Sequence, residues 1–172
     1  MIRRANESDA LYIQEVLEDA KKLFKKDGSD QWQDLDNYPN INTTLNDIRK
    51  EQMYIYEKGN IIVGCIVLSK EIEEAYKQIH NGNWLTNDMY YVIHRLAVRD
   101  NYYHQGIAKE LIKYAIEITK KDNIHSIKID TKKENIRMLS LLKGIGFKEV
   151  GIIHLLRPDV LDKERVALEF II

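Results

Sequence analysis

Apolar residues recur along much of the chain at the spacing of an amphipathic helix. Between residues 6 and 26 they return every three or four positions, which predicts a helix with Asn6 as its N-cap and Gly28 at its end. A second stripe of the same period follows Gly106 and predicts a helix over about 107–119. Shorter helices are predicted at 43–52 and at 135–146, the latter ended by Gly144 or Gly146.

Other segments are continuous or alternating apolar runs that are typical of strands. They are residues 1–5, a hairpin over 53–70 with its turn at 58–60, a buried strand over 89–98, and strands at 125–131, 147–156 and 164–172. The resulting order is β-α-α-β-β-β-α-β-α-β-β, an α/β fold with a mixed central sheet and helices on both faces. Only the strand–helix–strand unit at about 89–131 requires a parallel crossover. No repeat or boundary interrupts the pattern, so a single domain over residues 1–172 is predicted.

Composition narrows the class of protein without naming a function. The 172 residues are 44% hydrophobic and 31% charged, with a net charge of −1, which gives no general attraction to nucleic acid or to an anionic membrane. With no long apolar run and no signal-peptide pattern, the expected location is cytoplasmic. The single cysteine, Cys65, lies in an apolar run and is predicted to be a buried, unreactive thiol. The five histidines lack metal-ligand spacing, so no metal site is expected.

The loop around Gly106 is the first candidate binding feature. It lacks the three glycines of a dinucleotide fingerprint and the Gly-Lys-Ser or Gly-Lys-Thr of a P-loop. Residues 104–109 nevertheless enter a helix, where unpaired backbone amides and the positive end of the helix dipole favour an anion. On these residues alone, an ordinary strand–helix turn is the favoured interpretation over an anion site.

Two longer stretches resemble a known family. The segments "VIHRLAVRDNYYHQGIAKELIKYA" and "IDTKKENIRMLSLLKGIGF" resemble the GNAT superfamily of acetyl-CoA-dependent N-acetyltransferases. That family carries Gln/Arg-x-x-Gly-x-Gly/Ala after a strand, then an asparagine, then an ending on Gly-Phe. The matching positions here are Tyr103, Gly106, Ala108, Asn135 and the pair 146–147. The match at all of these positions together favours an anion site over a plain turn.

The resemblance implies acetyl-CoA as the cosubstrate and no metal. The pyrophosphate would lie on the amides of 104–109, the backbone of Leu96 and Val98 would pair with the pantetheine arm, and Asn135 would hydrogen-bond that arm. Asn135 is also a candidate N-cap, and the two roles are compatible. The implied cofactor-binding residues are Leu96, Ala97, Val98, Tyr103, His104, Gln105, Gly106, Ile107, Ala108, Lys109 and Asn135.

The resemblance also implies catalytic groups. The amide of Val98 would stabilise the tetrahedral oxyanion, and His94 stands where some relatives carry a glutamate base. Because histidine titrates near neutral pH, His94 is a candidate base, although a structural role in the sheet is equally open. On strand alternation His94 shares a face with Leu96 and Val98, and Arg95 lies opposite. Two residues depart from the family pattern, namely Tyr103 for Gln/Arg and Leu142 where many members carry a tyrosine acid.

The acceptor is less defined by the sequence. In this fold the loop after the first helix flanks the acceptor cleft, so Gln31, Trp32 and Tyr38 are candidate substrate contacts, and anchoring of the loop is the alternative for the two aromatic residues. The leading hypothesis is an N-acetyltransferase acting on a primary amine of a small molecule or peptide. A non-catalytic acyl-CoA-binding module and a nucleotide-binding regulator are the competing classes. The resemblance also permits a homodimer.

Overall fold

The helices and strands follow each other in the predicted order. A computed structural model describes residues 1–158, 160 and 162–172. The elements are β1 Ile2–Arg4, α1 Ala10–Lys26, α2 Ile41–Arg49, β2 Met53–Lys58, β3 Ile61–Ser69, β4 Tyr91–Val98, α3 Ile107–Lys121, β5 Ser126–Thr131, α4 Ile136–Ile145, β6 Lys148–His154 and β7 Glu164–Ile171. The predicted α/β class and element order are therefore confirmed.

The strands form a seven-stranded sheet in the order β1-β2-β3-β4-β5-β7-β6. Strands β4 and β5 run parallel, with Tyr91 opposite Ile127 and Val92 opposite Lys128. The pairs β1/β2, β2/β3, β5/β7 and β6/β7 are antiparallel. The predicted mixed sheet and its parallel crossover through α3 are thus both present.

Several element ends differ from the prediction by a few residues. Asn6 caps a 3₁₀ turn at Glu7–Asp9, from which α1 continues, because its side chain accepts a hydrogen bond from the amide of Ser8. Strand β4 begins at Tyr91, two residues after the predicted start. The hairpin closes through a two-residue turn at 59–60, and both of these residues have positive φ, as such tight turns require. Helix α4 ends at Gly146, the second of the two predicted stops.

The described chain divides into two compact units, residues 1–69 with 93–115 and residues 70–92 with 116–172. The predicted single domain over 1–172 stays a prediction. In the first unit, one face of α1 and both strands of the hairpin form the core. Its buried members include Ile13, Val16, Leu17, Met53, Ile55, Cys65 and Val67. The prediction that the Cys65 thiol is buried is confirmed, and burial raises its pKa to about 12, which keeps it protonated.

The second unit has its own smaller cluster of apolar side chains. Tyr76, Val92, Ile153 and Ala167 are buried in it, and partly buried residues pack around them. Leu142 of α4 is fully buried in the same unit. Among the described residues no helix is both long enough and apolar enough to cross a membrane.

Close approach in the first unit depends on a glycine in β3. A Cβ placed on Gly64 would lie 2.9 Å from Cγ2 of Ile107 and 3.2 Å from the carbonyl oxygen of Ala97. Ile107 is the first residue of α3, so the absence of a side chain at position 64 lets the start of that helix rest directly on the hairpin.

We expect Gly64→Ala to destabilise the protein by about 1–3 kcal/mol, because the added methyl group overpacks this contact. Gly144→Ala is the matched control, since nothing lies within 4 Å of a Cβ there and alanine is favoured inside a helix. Urea unfolding of both variants measures the difference. Equal midpoints for the two variants would contradict the role of Gly64.

Candidate functional site

The loop between β4 and α3 reverses the chain through two residues with positive φ. His104 has φ 63° and Gly106 has φ 78°, and α3 begins at the next residue. His104, Gln105, Gly106 and Lys109 are exposed, whereas Ile107 is buried and fastens the helix start to the first unit. The backbone of the loop is therefore open to solvent, while the buried Ile107 holds the start of α3 in place.

The backbone amides of this loop lack hydrogen-bond partners in the part of the chain that the structure describes. None of the six backbone N–H groups at 104–109 donates a hydrogen bond to another described residue, and the first α-helical bond runs from Glu110 N to Gly106 O at 3.0 Å. Unpaired donors at a helix start, backed by the positive end of the helix dipole, form a site for an anion. A Cβ on Gly106 would meet nothing within 4 Å, so the glycine is explained by its φ and by the open face it leaves.

A lysine that the sequence did not single out lies beside the loop. Lys58, at the end of β2, donates a hydrogen bond from Nζ to Oε1 of Gln105 at 3.0 Å and stands 5.7 Å from the ring centre of Tyr102. Its positive charge adds to that of Lys109 on the exposed side of the loop. No local motif marks Lys58, because 47 residues separate it from Gln105.

Tyr103 contributes to the loop in a different way from the Gln or Arg of the signature. Its hydroxyl donates to the carbonyl oxygen of Asp19 on α1 at 3.5 Å. Next to it, the guanidinium of Arg99 contacts Glu15 and the carbonyl oxygen of Ile62. The tyrosine thus ties the loop to the first helix.

Strand β4 does not alternate as predicted. Arg95 has φ 47°, a left-handed conformation, within the strand. In consequence His94 and Arg95 are both partly exposed, and the next two residues, Leu96 and Ala97, are both buried. The expectation that His94 shares a face with Leu96 and Val98, with Arg95 opposite, is therefore wrong, because one left-handed residue breaks the period of two.

The environment of His94 changes its proton affinity. Burial, assisted by the positive charge of Arg95, lowers the pKa of His94 to about 3. His94 is therefore neutral throughout the physiological range. The expectation that it titrates near neutral pH is wrong, since that expectation assumed the ordinary value of about 6.5.

The loop predicted to flank the acceptor is held from within by polar contacts. Lys21 of α1 donates from Nζ to the carbonyl oxygen of Asn37 at 2.7 Å, and Gln14 donates from Nε2 to the carbonyl oxygen of Pro39 at 3.0 Å. Trp32 packs edge-on against Phe24 with ring centres 5.3 Å apart and lies against the core. This packing agrees with the anchoring role for Trp32, and its role toward an acceptor stays a prediction.

The other two predicted acceptor residues differ from Trp32. The Tyr38 hydroxyl accepts a hydrogen bond from Nη1 of Arg95 at 2.7 Å, so this tyrosine joins the loop to β4. The buried Oε1 of Gln31 has no hydrogen-bond donor among the described residues. An unsatisfied acceptor of this kind is suited to an N–H group of a bound molecule.

In the second unit Asn135 occupies the N-cap of α4. Its Oδ1 accepts from the amide of Met138 at 3.3 Å, and its Nδ2 donates to Oγ1 of Thr131 at 3.1 Å. The predicted N-cap role is confirmed. Leu142, which stands where many family members carry a tyrosine acid, is completely buried and belongs to the packing of this unit's core.

A carboxyl group on β5 was missed by sequence reasoning. The Tyr76 hydroxyl donates to Oδ2 of Asp130 at 2.7 Å, and burial raises the pKa of Asp130 while that hydrogen bond and the charge of Arg165 oppose the rise. Such a group exchanges protons closer to neutral pH than an ordinary aspartate does. The alternation of the strand could have placed Asp130, but burial and the Tyr76 contact are tertiary and left no local signal. The described residues include no group of three or more His, Cys, Asp or Glu able to hold a metal ion.

Comparison with known proteins agrees with this arrangement. A stretch of 88 residues is 31% identical to N-alpha-acetyltransferase 30 of Saccharomyces cerevisiae; it covers 51% of this chain and 44% of that protein, so the chain matches less than half of the relative's length. A crystal structure of a GNAT-family acetyltransferase from Streptococcus agalactiae 2603 is 26% identical, covers 100% of this chain and 95% of its own, and superposes with a TM-score of 0.88. A solved structure from Staphylococcus aureus MU50 is 29% identical, covers 99% and 98%, and has a TM-score of 0.74.

The family model of the acetyltransferase (GNAT) family matches residues 14–147, which include the hairpin, β4, the unpaired loop, α3 and Asn135. This match covers well over half of the chain. The protein therefore belongs to the GNAT family of acetyltransferases.

Proposed function

We propose that this acetyltransferase moves the acetyl group of acetyl-CoA to a primary amine of a small molecule or peptide. The amine nitrogen attacks the thioester carbonyl carbon, the C–S bond breaks, and the products are the N-acetylated amine and the coenzyme A thiol. The observation that carries the proposal is the row of unpaired amides at 104–109 on a helix start. The pyrophosphate of coenzyme A is anionic, and it matches this row in charge and in hydrogen-bonding capacity.

The remaining cofactor contacts follow from the backbone. The strand segment Leu96–Val98 would pair with the amide groups of the pantetheine arm, and the amide of Val98 would donate to the oxyanion that forms on the thioester carbonyl. Lys58 and Lys109 would add positive charge near the phosphates. Asn135 would hydrogen-bond the arm through the part of its amide group that the cap leaves available.

Among the amines, the peptide N-terminus has one supporting observation. The yeast relative is named for N-alpha acetylation, although the alignment covers less than half of it. The unsatisfied Oε1 of Gln31 would accept a hydrogen bond from an acceptor N–H in either class of substrate.

We assign His94 a role toward the acceptor amine. His94 is neutral at physiological pH, so its imidazole can accept a hydrogen bond and orient the amine.

The function is tested by the release of coenzyme A thiol from acetyl-CoA across a panel of small amines and peptides with free N-termini. We expect thiol release that requires an amine, with the acetylated product confirmed by mass spectrometry. Acetyl-CoA binding without amine-dependent release from any member would instead support the acyl-CoA-binding module. Thermal stabilisation by ATP or NAD but not by coenzyme A would support the nucleotide-binding regulator.

The loop is tested by Gly106→Ala against Gly28→Ala. Both glycines have φ between 70° and 80° and open space at the Cβ position, so both substitutions carry a similar backbone cost of about 1 kcal/mol. Only Gly106→Ala should distort the anion loop, and we expect it to raise the Kd of coenzyme A by about tenfold in calorimetric titration, a change of about 1.4 kcal/mol. Equal affinity in the two variants would contradict binding at this loop.

The role of His94 is tested by the pH dependence of kcat/KM in His94→Gln. The substitution should reduce turnover by up to about tenfold, the effect of one hydrogen bond, and should keep the wild-type midpoint. A limb near pH 6.5 that disappears in His94→Gln would show that the histidine is the base and would contradict this role. Thermal unfolding at each pH verifies that the variant stays folded.

A further inference from the structure

The left-handed residue in β4 is unusual for its type and place. Among the described residues, eight that are not glycine have positive φ, and Arg95 alone of these lies within a strand. The others are found in turns, loops and element ends, where asparagine is frequent. A long side chain such as arginine has no local hydrogen bond that favours this conformation. Something outside the strand must therefore hold it.

The Arg95 side chain supplies that hold. Nε donates to Oδ2 of Asp47 at 2.6 Å, Nη2 donates to Oδ1 of the same carboxylate at 2.7 Å, and Nη1 donates to the hydroxyl of Tyr38 at 2.7 Å. The side chain of Asp47 is 3% exposed and that of Arg95 is 13% exposed. A bidentate pair withdrawn from water is a directional contact and fixes the guanidinium in one orientation.

The main chain at the same residue is also engaged. The Cys65 thiol of β3 contacts the carbonyl oxygen of Arg95 at 3.6 Å, and the amide of Arg99 donates to the carbonyl oxygen of Val63 at 2.8 Å. The segment between these two points is Leu96–Val98. Its backbone direction is therefore determined by a bend at Arg95 and a hydrogen bond at Arg99.

The partners of Arg95 come from elements that surround the predicted acceptor side. Asp47 belongs to α2, and Tyr38 belongs to the loop that Lys21 and Gln14 hold against α1. A single guanidinium thus connects that loop, α2 and the middle of β4. Strained backbone of this kind persists where surrounding contacts over-determine it, and such sites are frequent in active sites.

We propose that Arg95, Asp47 and Tyr38 form a clamp that holds β4 in its left-handed bend and so aims the Leu96–Val98 backbone at the thioester. The proposal rests on the proposed function for its catalytic consequence. All three are positioning residues, because they act on the reaction through the strand. Because Tyr38 belongs to the predicted acceptor loop, the direction of the strand backbone also depends on the position of that loop.

The decisive comparison uses two double variants, Arg95→Gly with Asp47→Asn and Arg95→Ala with Asp47→Asn. Both remove the clamp and its buried charges to the same degree. They differ in that glycine adopts a left-handed φ without penalty and alanine does not. We expect the glycine variant to have a kcat about tenfold above that of the alanine variant and a Kd for coenzyme A no higher, because the same backbone pairs with the pantetheine arm.

A second readout makes no use of turnover. Hydrogen–deuterium exchange of the amides in a peptide covering 93–99 reports whether the bend and its hydrogen bond at Arg99 persist. Exchange should be faster in the alanine variant than in the glycine variant. Equal exchange in the two variants would overturn the clamp even if acetyl transfer were never detected, and a failure of the proposed function would leave the exchange comparison intact.

Tyr38→Phe is the mild variant in case both double variants unfold. It removes one hydrogen bond to the guanidinium and leaves the Asp47 pair in place. We expect kcat to fall about threefold to tenfold, with an unfolding midpoint close to that of the wild type. A loss of stability with unchanged kcat would identify the tyrosine as a loop anchor only and would overturn its place in the clamp.

Discussion

A largely buried guanidinium in the middle of a strand connects β4 to α2 and to the loop that contains Tyr38. A left-handed φ at a residue with a side chain costs about 1–3 kcal/mol, and Arg95 must also give up the hydration of its charge. Two charge-assisted hydrogen bonds to Asp47 and one to Tyr38 offset these costs. Because desolvation cancels much of the attraction in such pairs, the net gain in stability is small, and what the pair chiefly provides is one defined conformation of β4.

In the proposed function the phosphates are recognised through backbone amides, which explains how the loop at 104–109 can carry unusual side chains. The donors at 104–109 belong to the main chain, so Tyr103 in place of Gln or Arg removes no donor from the row. The tyrosine hydroxyl is directed to Asp19 of α1 and supports the loop from behind. The lysines near the loop are exposed, so their attraction for phosphates is screened by salt, whereas the helix start acts at hydrogen-bond distance.

Much of the fold could be predicted because the spacing of apolar residues agrees with the positions of turn and helix-ending residues along the chain. The stripes of α1 and α3, the hairpin turn at 59–60 and the stop at Gly146 all have local causes. Contacts between distant residues left no such trace. Arginine at position 95 has no preference for a left-handed bend, and its partners Tyr38 and Asp47 are 57 and 48 residues away. The pKa of His94 is set by burial, and the role of Lys58 by proximity to a loop that follows much later in the chain.

The buried leucine at position 142 bears on which proton step needs the protein's help. An alkylamine with a pKa of about 10.4 must be neutral to attack, and at pH 7 that costs about 4.6 kcal/mol. A cysteine-like thiol has a pKa of about 8.5, roughly two pH units below that of an alkylamine, so the departing thiolate needs an acid less than the amine needs a base. The Leu142 position can therefore serve the core without blocking transfer. The demanding step therefore falls on the amine, which in the proposed function the neutral imidazole of His94 orients.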